Sequence, residues 1–149
     1  MTTVPENESE VVLVVDDEQA IQMVLVETLI DEGFRTLQAS DGESALTWID
    51  SGTRIDLLIT DMGLPGSLNG RQLADAARKT RPNLKVIFIS GYGEEKIMGH
   101  GPLKPGESIL VKPFTGSRLV VLIDAILSDR RAASDAEYDR ADAQLGSSE

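Results

Sequence analysis

The chain has 149 residues, 41% hydrophobic and 26% charged, the size and composition of one globular domain able to bury its own core. Its net charge of −11 speaks against direct nucleic-acid binding, which relies on Lys and Arg to neutralise phosphates. There is no cysteine for a disulfide or thiolate metal site, no apolar run long enough for a membrane span, and no signal-peptide pattern at the polar N-terminus, so a cytoplasmic protein without membrane contact is expected.

Residues 1–10 are polar and acidic and read as a disordered N-terminus. Residues 11–15, VVLVV, have the β-branched content of a strand buried on both faces, and they end on Asp16-Asp17. A helix is expected over 19–32, with Ile21, Val24, Leu25 and Leu29 apolar and Gly33 as its C-cap. A second strand over 34–38 and a second helix over 42–51 follow, the latter carrying Trp48 as a packing residue. The third strand, 55–60, ends on Asp61, and the loop 62–69 is rich in Gly, Pro and Asn. A third helix spans 70–80 through Leu73, Ala76 and Ala77, and the fourth strand, 84–89, runs into Ser90-Gly91.

The segment 91–106 breaks the rhythm with five glycines and two prolines. Gly costs about 1 kcal/mol and Pro about 3 in a helix interior, so the fourth helix is expected to be short, near 94–98, or replaced by a loop. His100 within it reads as an exposed histidine without function. The fifth strand, 109–111, ends on Lys112-Pro113, where the proline disfavours helical geometry at the lysine and is a candidate cis bond. Leu119, Leu122, Ile123, Ile126 and Leu127 form the stripe of a last, core-facing helix, and 129–149 reads as a helical extension or disordered tail.

Strands alternating with helices imply an α/β fold, a doubly wound, five-stranded parallel sheet occupying 11–128 as one domain, in which the order 2-1-3-4-5 would put strands 1 and 3 side by side at the switch point. Polar strand ends then meet in one crevice. Asp17 and Asp61 are the expected direct ligands of Mg²⁺, Asp16 would hold a metal-bound water, and the Gly63 carbonyl would be a further ligand. Asp61 is the candidate nucleophile toward a phosphoryl group, with Mg²⁺ and Lys112 neutralising charge and the Ser90 hydroxyl and loop N–H groups as added donors. Taken singly, each feature has a plainer reading. Asp16-Asp17-Glu18 could cap a helix, Asp61 could be a loop acid, Lys112 a solvated lysine and Ser90-Gly91 a turn. Their joint placement at four strand ends favours the phosphoryl chemistry.

VVLVVDDE, LLITDMGLPG, VIFISGY and ILVKPF together resemble the receiver domain of bacterial two-component response regulators, over about 11–127. The resemblance implies a flavodoxin-like fold and a histidine kinase or histidine phosphotransfer protein that donates phosphoryl to Asp61. It implies Mg²⁺-dependent, self-catalysed chemistry, and a Ser90 that moves toward the phosphoryl group as the domain switches state. Ile109 stands where the family commonly has a switch aromatic; Tyr92 would substitute for it or gate access. LNGRQLA and SGYGEE are similar to receivers of hybrid histidine kinases and of certain single-domain regulators. A stand-alone regulator is expected, signalling by protein binding through the surface from the fourth strand to the fifth helix, with Val120 and Val121 extending it. The alternatives are a phosphate sink or shuttle in a phosphorelay, and a phosphorylation-independent docking module. A phosphohydrolase of similar fold fits less well, because Gly63 stands where a second aspartate would be needed.

Overall fold

The computed structural model describes residues 10–91 and 103–127, and the structural statements below concern those residues. In chain order they form β1 (Val11–Val15), α1 (Gln19–Asp31), β2 (Arg35–Ala39), α2 (Gly42–Asp50), β3 (Leu57–Asp61), α3 (Gly70–Thr80), β4 (Lys85–Ser90), β5 (Glu107–Val111) and a last helix, α4, over 116–127. The strands make one parallel sheet of order β2-β1-β3-β4-β5, the architecture expected from the alternation. Polar caps hold the second and third helices. Asp41 accepts the Ser44 N–H, and Asn69 and Gln72 form a reciprocal capping box.

The sheet divides two apolar layers. Leu13, Leu58 and Phe88 face Ala45 and Ile49 of α2 and Leu73 and Ala77 of α3. Val12, Leu57, Ile59 and Ile87 face Leu25 and Leu29 of α1 and Leu119 and Ile123 of α4. Trp48 is half-buried against the first layer, and its indole N–H donates to the Gln38 carbonyl at 3.0 Å.

Three local differences from the sequence pattern share one cause, a buried polar group among apolar neighbours. The third strand starts at Leu57 rather than 55, because the buried Asp56 carboxylate turns to accept the Val11 N–H at 2.8 Å and Arg54 Nε at 2.9 Å. In α1, Val24 is exposed and Gln22 is buried instead, where its amide donates to Ala39 O at 2.8 Å and Asp16 O at 3.3 Å. The fifth strand begins two residues early, at the buried Glu107. The expected short fourth helix, Tyr92 and His100 fall outside the described residues, as do 1–9 and 128–149.

Glu107 takes both terminal nitrogens of Arg71, with Nη1 to Oε1 at 2.8 Å, and also accepts the Lys104 N–H at 2.8 Å. Arg71 lies over the Phe88 ring, 5.0 Å from its centroid, and pairs with Asp75 at 2.6 Å. Burial alone would raise the Glu107 pKa, but the hydrogen bonds from Arg71 and Lys104 outweigh it and hold the carboxyl below its ordinary range. Removing one member of such a pair strands the other charge. Arg71→Met should therefore destabilise the fold by about 3 kcal/mol in urea unfolding, and Arg71→Met with Glu107→Leu should recover most of that loss.

Candidate functional site

Parallel register carries the polar strand ends to one place. Val15 lies beside Thr60, so the next residues, Asp16 and Asp61, are neighbours at the carboxyl edge. Asp61 pairs with Ile89 and Ser90 with Val111, and the Lys112 N–H closes onto Ser90 O at 2.8 Å. Carboxylate oxygens of Asp16, Asp17 and Asp61 all lie within 4.8 Å of one another. Asp16 and Asp61 are buried and Asp17 is exposed. Lys112 Nζ stands 3.8 Å from Asp61 Oδ1, and the Lys112–Pro113 peptide bond is cis.

The loop after Asp61 is held from three sides. Met62 and Leu64 are buried in the α2–α3 layer, and the Met62 N–H continues the ladder to Ile89 O at 3.0 Å. Glu43 on α2 accepts the Ser67 hydroxyl. At the start of α3, a Cβ on Gly70 would come within 2.4 Å of the Asp61 carbonyl oxygen, so only glycine lets the helix approach this closely. Gly63, exposed in the loop, points its N–H toward Asp61 Oδ1 at 3.5 Å. Ile109 is half-buried beside Phe88, and Tyr92 lies outside the described residues.

Glu18 does not cap α1 through its side chain; its N–H donates to Asp16 Oδ1 at 2.9 Å and its carboxylate reaches Lys112 Nζ at 3.6 Å. This second partner for Lys112 was not readable from the acidic run, which does not say that the Glu18 side chain turns toward the end of β5. Gln22 is the other missed residue: it ties the Asp16 backbone to the end of β2. A helix period that puts a polar residue inward was its only signal.

Two buried side-chain atoms here, Asp16 Oδ2 and Ser90 Oγ, have no hydrogen-bond partner. Buried polar atoms are nearly always satisfied, so an orphaned carboxylate oxygen within a three-carboxylate cluster fits a hard cation with oxygen ligands such as Mg²⁺. Burial pushes the Asp16 carboxyl up to about 6; the Glu18 N–H opposes this and the Asp61 charge adds to it. A carboxyl raised on folding binds its proton better in the native state, so its contribution to stability falls as pH rises from about 4 to 6. With chelator present, Asp16→Asn should exceed the parent in stability by about 2 kcal/mol at pH 7, with no difference at pH 3. Urea unfolding across that range checks it, and added Mg²⁺ should stabilise only the parent strongly.

Residues 12–124 match the family model of the response regulator receiver domain. The chain is 32% identical to the sensor kinase CckA of Brucella abortus over 120 residues, which is 80% of this chain but 13% of that kinase. It is 32% identical to the sporulation initiation phosphotransferase F of Bacillus subtilis, covering 71% of this chain and 84% of that protein. It superposes on a response regulator receiver protein from Sinorhizobium medicae with a TM-score of 0.76, at 32% identity, covering 83% of this chain and 98% of that one. Fold, strand-end chemistry and sequence agree, and the chain belongs to the response regulator receiver domain family.

Proposed function

We propose that this domain accepts a phosphoryl group on Asp61 from a histidine kinase or histidine phosphotransfer protein and passes the change on by altered protein binding. The observation that carries this reading is the position of the Asp61 carboxylate between an acid pair and an ammonium, at the carboxyl end of a buried strand. An Asp61 oxygen forms a bond to phosphorus as the bond from phosphorus to the donor's histidine nitrogen breaks, leaving an acyl phosphate on the protein. Such transfer passes through a loose transition state, so positioning and charge neutralisation supply most of the rate. Mg²⁺ held by Asp16, Asp17, Asp61 and the Gly63 carbonyl would supply much of that neutralisation. Lys112 pairs with a phosphoryl oxygen, and Ser90 Oγ, buried and without a partner, donates to another.

The second reading is a phosphoryl shuttle. It is favoured by the likeness to a phosphotransferase most of whose length this chain spans. In either reading the domain is a cytoplasmic signalling module rather than a turnover enzyme.

With acetyl phosphate and Mg²⁺, Asp61→Asn should abolish labelling, and Lys112→Ala should slow it by about 10²-fold. Labelling of Asp61→Asn at the parent rate would overturn the assignment. Rapid exchange of label with a phosphotransfer protein, without beryllofluoride-dependent binding of any other protein, would select the shuttle.

A further inference from the structure

At the end of the sheet opposite the acid cluster, a cavity of about 720 Å³ opens between the turn after α3 and the start of β5. Its charged lining is Arg78, Arg81, Lys85 and Asp56. The one carboxylate is already engaged, by the Val11 N–H and by Arg54. Three cations therefore converge on this cavity in a chain whose net charge is −11.

The convergence is built. Arg81 donates Nε and Nη2 to the Ile49 carbonyl, at 3.3 and 2.9 Å, which fixes the guanidinium plane and leaves Nη1 with no bond among the described residues. Arg78 is held by the carbonyls of Leu84 at 3.1 Å and Pro105 at 2.7 Å. Gly106, at φ +83°, is the point where Arg78 and Lys85 meet: a Cβ there would lie 2.6 Å from Arg78 Nη2 and 3.6 Å from Lys85 Cδ. Lys85 Nζ has no hydrogen bond or ion pair among the described residues, and neither has the Asn83 amide. Arg78 Nη1 also donates to Glu107 Oε2 at 3.4 Å, so its charge is already paired, and Arg81 and Lys85 are the cations left for a ligand.

We infer that this cavity binds a small phosphate-bearing anion through the free edge of Arg81 and the Lys85 ammonium. Fixed guanidinium forks and an adjacent ammonium suit phosphate oxygens, and anchoring by carbonyls means little order has to be gained on binding. The volume has room for a diphosphate or a nucleotide-sized ligand. This site is independent of phosphoryl transfer at Asp61, and the carboxylates at the other end of the sheet repel the same ligand.

Pyrophosphate titrated into the metal-free full chain tests this, followed by amide chemical shifts. Saturable shifts at 81–85 and 105–107 are expected, with a Kd of about 1 mM or tighter, and the parent affinity should persist in Asp61→Asn. Lys85→Gln, which leaves the carbonyl anchors in place, should weaken binding about 10-fold, and Arg81→Lys should do so by a similar factor through loss of the fork. Non-saturating shifts that sulfate reproduces at equal ionic strength would overturn the inference. So would shifts centred on Asp16 and Asp61, or parent-like affinity in the folded Lys85→Gln protein.

Discussion

Three carboxylates held within 4.8 Å of one another repel, and the architecture around them exists against that repulsion. The register that makes Asp16 and Asp61 neighbours is the register that buries the apolar residues of β1 and β3 on both faces of the sheet. Separating the acids would require moving a strand and exposing its core residues. Hydrophobic burial thus holds a charge arrangement that electrostatics alone would disperse, and the same burial, more than the neighbouring Asp61 charge, raises the Asp16 pKa.

Much of this was legible in the chain because the strands are buried on both faces and read as uninterrupted apolar runs, each ended by the residue that matters. Alternation and handedness pointed to a doubly wound parallel sheet, and the order 2-1-3-4-5, the one that fits the family resemblance, places Asp16, Asp61, Ser90 and Lys112 at one edge. Polar groups inside the fold were harder. Gln22, Asp56 and Glu107 look like surface residues in a one-dimensional pattern. Each is buried because a partner distant in sequence satisfies it, such as Arg71, 36 positions before Glu107. A pattern of hydrophobicity carries no record of such partners. The same holds for Glu18, whose proximity to Lys112 depends on how its side chain turns across the carboxyl edge of the sheet.

The loop after Asp61 shows how backbone packing prepares chemistry. Gly70 lets α3 begin against the Asp61 carbonyl, while Met62 and Leu64 root the loop in the core. The segment that presents Gly63 is therefore placed by apolar burial and one close backbone approach rather than by a ligand. Binding a cation there requires little reorganisation of the chain.

The buried pair of Arg71 and Glu107 has a consequence at the far end of its strand. β5 is an edge strand, paired on one side only, and edge strands are where register is most easily lost. A slip of β5 by two residues would keep the same side chains facing inward, so apolar patterning alone would not forbid it. It would, however, put Ile109 where Glu107 meets the two arginines, and it would carry Lys112 about 7 Å along the sheet, away from Asp61. The ion pair thus acts as a gauge block. By fixing one end of a five-residue strand, it sets the reach of the lysine that follows the other end.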